Sequence, residues 1–395
     1  MNNLNWPTRK LDDVCELQRG SEPGSKTYNE KGEGVRFIRV ADVSKHRTNP
    51  IWTTRKDLVP CKKDDILMTF DGSLGVVFRG IEGAISSGIR IIKPKNNREL
   101  LDDFLFYILQ TEPVQNTVKK YTIGVSILHA SKSIPHIEIP LPPIKIQKRI
   151  VARIEELFEK IDKAKKLRQK ALEEAGQIFP AALEEIFKKA VRKYSKQEIE
   201  EILELNQSGI WGDKPEELKN SYPVIRSTEI THEGELNLNS VAIRKIVPNK
   251  VSKYSLADGD ILIVKSSGSA NLIGRCSLFK QSKEDKKIYL FSNFIQRLRP
   301  NTKIVIPEFL YYFLNFEGKK FVQYLMTTTT GLRNLPIKQY VKLQIPHPSL
   351  PEQKKIVVYL DSLREKVDKL KQFQQSQLKE LTELKQSILA KAFKG

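Results

Sequence analysis

Apolar and small residues recur in two long stretches at alternating steps of four and three. In the first they fall at Ile150, Ile154, Leu157, Ile161, Ala164, Ala171, Ala175 and Ile178. In the second they fall at Ile356, Leu360, Leu363, Val367, Leu370, Leu381, Leu384 and Ile388. Lys, Glu, Gln and Arg fill most of the other positions. This spacing lines one stripe of a helix with apolar side chains and makes a heptad seam. Two such seams in one chain are expected to pack on each other as an antiparallel coiled coil. Polar seam residues, Arg168 in the first and Gln374 and Gln377 in the second, read as register-setting positions. Each helix starts after a proline-rich stretch, Pro140-Leu141-Pro142 and Pro346-His347-Pro348, where Pro ends the preceding strand and presets the first turn. Gly176 and Pro180 are expected to break or kink the first helix before Ala181-Ala182-Leu183 restarts it.

The two stretches are copies of each other at a fixed offset of 206 residues, with no gap. Gln147-Lys148-Arg149-Ile150-Val151 aligns with Gln353-Lys354-Lys355-Ile356-Val357. Further along, Leu172 meets Leu378, Glu174 meets Glu380, Leu183 meets Leu389 and Phe187 meets Phe393. A repeat of this length implies a duplicated unit that acts at two related places. The segments before each helix correspond more loosely. Phe37-Ile38-Arg39 with Asp42-Val43 matches Val224-Ile225-Arg226 with Glu229-Ile230, and Asp65-Ile66-Leu67 matches Asp260-Ile261-Leu262. Gly72-Ser73 matches Gly268-Ser269, and Phe104-Leu105 with Tyr107 matches Phe309-Leu310 with Tyr312. Short β-rich runs, such as residues 88–92 and 294–298, lie among Gly, Ser and Asn turns, which predicts curled mixed sheets with a few helices. The expected fold class is therefore mixed α+β. Its four parts are a first globular unit (1–143), a central helical spacer (144–192), a second globular unit (193–348) and a terminal helical spacer (349–395). Scaffold positions match between the copies while loops differ, which points to two different specificities.

Composition narrows the partners. The chain has 395 residues and a net charge of +20, from 67 basic and 47 acidic residues. Such a balance favours a polyanion, nucleic acid above an anionic membrane, because no helix combines a broad apolar face with a purely basic reverse side. No run approaches a membrane span, and the N-terminus has no signal-peptide pattern, so a cytoplasmic location is expected. Cys15, Cys61 and Cys276 are scattered, odd in number and without metal-ligand spacing, as reduced thiols would be.

Catalytic signatures fail on inspection. Gly24-Ser25-Lys26-Thr27 lacks the spacing of a phosphate-cradling P-loop. Leu141-Pro142-Pro143-Ile144 has the double proline of an adenine methyltransferase motif but not the Asn or Asp that would hold the target amine. No glycine-rich cofactor loop follows a strand. His46, His129, His136, His232 and His347 are isolated, so no metal site is expected.

The order and duplication of these segments resemble the specificity (S) subunit of type I restriction-modification systems, the HsdS family. Trp6, Leu11-Asp12-Asp13-Val14 and Arg19-Gly20-Ser21-Glu22-Pro23-Gly24-Ser25 resemble the start of that family's target recognition domain. Ser208-Gly209-Ile210-Trp211-Gly212 with Tyr222-Pro223-Val224-Ile225-Arg226 resembles a second such start. Gly331-Leu332-Arg333-Asn334-Leu335 is similar to the family's glycine-to-asparagine segment. Pro351-Glu352-Gln353 and Ala392-Phe393 resemble its helix start and end. The first copy departs at Ile146, which stands where the second has Glu352, and Gly124-Val125-Ser126-Ile127 is a weaker glycine segment. The resemblance implies a non-catalytic subunit that reads bipartite double-stranded DNA, one half-site per recognition domain. It also implies an antiparallel helical spacer and docking of two methyltransferase (M) subunits that methylate adenine at N6, with restriction (R) subunits able to join. S-adenosylmethionine and ATP would sit on those partners, and this chain would bind no cofactor. A helix from about Gln147 to Ala175 would span roughly 43 Å at ~1.5 Å per residue, slightly more than one ~34–36 Å turn of B-DNA.

Base edges are read by Arg, Lys, Asn, Gln and Ser, while other basic groups hold phosphate. In the second unit the candidates are Lys265, Ser266, Ser267, Ser269, Asn271 and Arg275, then Asn293, Gln296 and Arg297. The segment Thr327 to Thr330 with Arg333 and Asn334 forms a third loop. The first-unit counterparts are Ser73, Ser87, Arg90, Lys119, Lys120 and Lys132. The competing readings are a self-sufficient DNA methyltransferase or nuclease, which the missing cofactor motif disfavours, and a coiled-coil scaffold.

Overall fold

The prolines at the two repeat boundaries release the chain into long helices, α1 (Ile144–Lys193) and α2 (Leu350–Ala392). The computed structural model describes residues 6–44, 49–124, 128–217, 219–329 and 331–393. Its residues fall into two units, Met1–Gln169 with Gln375–Gly395, and Lys170–Gln374. Each unit thus holds one run of strands and a part of both helices.

Unit 1 is built on a four-stranded antiparallel sheet in the order Cys15–Arg19, Ile89–Pro94, Ile66–Thr69, Val77–Phe78. Unit 2 repeats that order with Leu203–Ser208, Ile295–Pro300, Ile261–Val264 and Cys276–Leu278. Runs such as Ile261-Leu262-Ile263-Val264 are apolar on both faces because both faces are covered; all four residues are buried. The second sheet is also repeated. Val35–Ile38 pairs antiparallel with Ile51–Thr53 and parallel with Gly83–Ile85, as Ser221–Ile225 does with Ala242–Lys245 and Leu290–Phe291. The mixed, curled-sheet expectation holds.

A short ribbon anchors each helix start: Thr8–Lys10 with Glu138–Pro140, and Lys196–Glu198 with Gln344–Pro346. The repeated glutamine then locks the first turn. Gln147 Nε2 donates to the carbonyls of Glu99 (2.7 Å) and Pro142 (2.9 Å), and its Oε1 accepts from Leu101 N at 3.0 Å. Gln353 does the same with Ile304 (3.1 Å), Pro348 (3.0 Å) and Ile306 N (2.8 Å). Both side chains are fully buried, which polar groups tolerate only when paired.

Within each unit the helix segments run antiparallel. In unit 1, Asp162 pairs with Lys385 at 2.6 Å, while Ile154 shares a core cluster with Leu389. In unit 2, Tyr194 donates to Glu352 at 3.0 Å, and Phe179 lies beside Arg364. The seam carries Ile154, Ile161, Leu360 and Val367 buried, with Ile150, Leu157, Ile356, Leu363 and Leu381 half-buried. Leu384 is a correction: it is 46% exposed, as is Ile178 at 41%. These are the same position of the repeat. After Ala175 and Leu381 the buried stripe advances by four, to Phe179 and Lys385, then to Leu183 and Leu389. An extra step of four unwinds a heptad seam locally. Leu370 likewise lies off the seam at 38% exposure. Of the break or kink expected at Gly176 and Pro180, the break does not occur, since α1 runs through both. Flanking side chains hold it: Phe179 packs on Tyr312, and Leu183 is in the core.

Candidate nucleic-acid interface

At one end of each four-stranded sheet the chain crosses itself at a glycine. Gly20 N donates to Ile89 O (3.1 Å) and Ser21 N to Ile85 O (3.1 Å). Gly209 N donates to Ile295 O (3.2 Å) and Ile210 N to Phe291 O (2.8 Å). A Cβ at Gly20 would stand 2.1 Å from Ser86 O, and one at Gly209 2.2 Å from Phe291 O. Only glycine allows this approach. The crossing brings the candidate loops to the same sheet end.

In unit 2 three loops that are distant in sequence become one surface. Ser266–Ser267 pairs with Leu332–Asn334, which pairs with Thr327–Thr329. Ser266 Oγ lies 2.6 Å from Asn334 Oδ1, and Arg333 Nη1 donates to Gly268 O at 2.9 Å. The backbone amides of Lys265 and Ser266 both donate to Phe294 O, at 2.9 and 3.2 Å. That contact fixes Asn293 and Phe294, both exposed, beside the ribbon. Lys265 is half-buried, and burial lowers its pKa. Its Nζ donates to Ser208 Oγ at 2.6 Å. Ser269 and Asn271 are exposed. Ser267 is buried and its Oγ accepts from Ser269 N. Arg275 Nε donates to Asn271 O at 2.8 Å, bracing the loop.

Besides Ser267, three candidates are buried, all on strands of the four-stranded sheets. Arg297 is 1% exposed; its guanidinium donates to Ser255 O, Lys253 O and Gln207 Oε1 and lies 3.7 Å from Asp260. Burial lowers its pKa, and Asp260 opposes that shift. Gln296 is buried, with Nε2 donating to Asn206 at 2.5 Å. Arg90 is buried, donating to Ser87 O (2.7 Å) and Ser131 Oγ (3.0 Å). Arg and Gln are expected at surfaces, but these three lie on the central strands Ile89–Pro94 and Ile295–Pro300, where consecutive residues such as Gln296 and Arg297 point to opposite faces and both faces are covered. These three therefore support the loops instead of extending from them.

In unit 1, Ser73 lies in the turn between Ile66–Thr69 and Val77–Phe78, where its carbonyl accepts from Thr69 Oγ1. Ser87 is tied to Glu22, its N at 2.9 Å and Oγ at 2.8 Å from Oε1. Lys119 and Lys120 end helix Glu112–Lys120, and Lys132 lies in the turn Ser131–His136; all three are exposed. Asp71, His129 and Arg19 also cluster here, a grouping that no sequence motif signals; Arg19 and Ser208 precede the two crossing glycines. His46, Val125, Ser126, Ile127 and Thr330 lie outside the described residues. Among the described residues no group of three or more His, Cys, Asp or Glu side chains could hold a metal, and no helix is long and apolar enough to cross a membrane.

A duplicated scaffold with a different polar loop set at the same end of each copy is the arrangement of a two-site recognition protein. The sequence profile of the type I restriction modification DNA specificity domain matches this chain twice, at residues 3–174 and 192–380. The chain belongs to that family. It is 24% identical to the type I restriction enzyme EcoBI specificity subunit of Escherichia coli, over 99% of this chain and 86% of that one. It is 25% identical to the MjaVIII specificity subunit of Methanocaldococcus jannaschii, over 97% and 91% respectively. A chain solved in a study of complex assembly and conformational transition of the type I R-M system shares the fold. That match has a TM-score of 0.74 and 20% identity, over 99% of this chain and 98% of that one.

Proposed function

We propose that this chain is the DNA-reading specificity subunit of a type I restriction-modification complex. Each unit takes one half of a bipartite duplex target, and the paired helices set the separation of the halves. Two methyltransferase (M) subunits dock on the chain, and restriction (R) subunits join them. S-adenosylmethionine and ATP belong to those subunits; this chain contributes recognition and no catalytic group. One observation supports this reading above the others. The same sheet order is built twice, each copy presenting exposed Lys, Asn, Ser or Arg at its glycine-crossed end. Phosphate contacts by the exposed lysines would supply affinity and salt dependence, while the loop ribbons would supply base selection.

The test is co-expression with the cognate methyltransferase, followed by native mass spectrometry and methylation-site sequencing. The expected result is one chain with two M copies and methylation confined to a two-part target. The purified chain alone should transfer no methyl group. Methyl transfer by the isolated chain, or a single uninterrupted target, would refute the proposal.

A further inference from the structure

Arg19 and Arg90 stand directly opposite each other in the ladder between Cys15–Arg19 and Ile89–Pro94. Like charges at such positions repel. The scaffold does not require them, because unit 2 places Ser208 opposite Gln296 at the aligned position. The two arginines are held very differently. Arg90 is buried, its guanidinium spent on Ser87 O, Ile89 O and Ser131 Oγ. Burial lowers its pKa, Arg19 lowers it further, and Asp71 opposes both. The Arg19 side chain is 62% exposed.

Arg19 is nevertheless fixed at its root. Its Nε donates to Ser87 O at 3.1 Å, and Nη2 lies 3.9 Å from Asp71 Oδ2. Asp71 Oδ1 is taken by His129 Nδ1 at 2.7 Å. The Asp71 side chain is only 15% exposed, so a nearly covered carboxylate stands behind two outward polar groups. Asp71 and His129 face each other in an isolated antiparallel bridge. The chain beside it places Ala130 N on Phe70 O, just as Leu335 N is placed on Lys265 O in unit 2. The bridge thus occupies the place of the Ser266–Asn334 pair, within the surface described above for unit 2.

We infer that Arg19 is a base-reading residue of unit 1, oriented for guanine by the Ser87 carbonyl and Asp71, with Asp71 and His129 as positioning residues. The inference rests on the DNA-reading function proposed above. Guanine fits because a guanidinium fork matches its O6 and N7 acceptors in the major groove. A base reader rather than a phosphate clamp is favoured by the anchoring. Phosphate neutralisation needs charge but little orientation, and the exposed Lys119, Lys120 and Lys132 already supply such charge.

The test uses the complex with the cognate methyltransferase, carrying Arg19→Lys, Arg19→Ala or Asp71→Asn. Methylation sequencing reads both half-sites, and binding is measured against salt. Arg19→Lys keeps the charge and loses the fork. It should reduce discrimination for guanine at one position of one half-site by about 5- to 150-fold, with the salt dependence retained. Asp71→Asn should relax the same position to a lesser degree. Unchanged recognition of the other half-site reports that the complex has folded. The inference is overturned if Arg19→Lys preserves the base preference while Arg19→Ala weakens all sequences equally, the behaviour of a phosphate contact. An unaltered complex with no two-part target would instead overturn the proposed function itself.

Discussion

Replacing Gln353 with Leu tests the device that starts α2. The side chain is fully buried and makes three bonds to backbone, to Ile304 O, Pro348 O and from Ile306 N. Leucine keeps much of the volume and removes all three bonds. A buried hydrogen bond contributes about 0.5–1.5 kcal/mol net, and a stranded partner costs ~1–3 kcal/mol. Ile304 O retains the His347 ring at 3.3 Å, so two partners are left bare rather than three. The expected loss is therefore roughly 2–6 kcal/mol. Denaturant unfolding of the complex gives the magnitude. Hydrogen exchange gives the place, because the Ile306 amide and the first turns of α2 should lose protection before the strands of unit 2. Gln147→Leu should act in the same way on Leu101 and the start of α1. A loss below ~1 kcal/mol, with Ile306 still protected, would refute the claim that this glutamine locks the helix start.

Four further outcomes are expected. Arg275→Ala, Asn293→Ala or Arg333→Ala should relax one half-site only, whereas removing Lys119 or Lys132 should lower the salt slope by ~0.9 for each phosphate no longer neutralised; methylation sequencing and salt titration distinguish these effects. Asp260→Ala should destabilise unit 2 by ~3–5 kcal/mol, since it takes the counter-charge from buried Arg297, which keeps its other hydrogen bonds, and removes the 2.7 Å partner of Arg299; thermal unfolding checks this. Burial pushes the thiols of Cys15 and Cys276 up to about 12 and that of Cys61 to about 11, so at pH 8 thiolate is scarce and iodoacetamide should label none of them until the chain is denatured. Adding one heptad to each helix should lengthen the target gap by ~10 Å, about three base pairs, without rewriting either half-site, as methylation sequencing of the variant would show.

Hydrophobic periodicity and the 206-residue repeat (Gln147 to Gln353) were enough for the sequence to determine the class of this protein: two mixed units, two long helices and the positions where they start. These are local or copied properties, carried by side-chain spacing and by Pro, Gly and Gln at repeated places. Tertiary structure decided which polar residues lie at the surface. Lys265, Asn293 and Arg333 come together only because one glycine crossing and one three-strand ribbon join distant loops. Arg90, Gln296 and Arg297, equally polar in sequence, are enclosed because the central strands that carry them are covered on both faces. The same division explains Ile178 and Leu384. Heptad spacing predicts a seam, but the partner surface decides where the seam shifts by four, and both residues are left exposed. Asp71 and His129 are 58 residues apart and meet through a single bridge, a juxtaposition no local pattern encodes, because it depends on where the loops close in space.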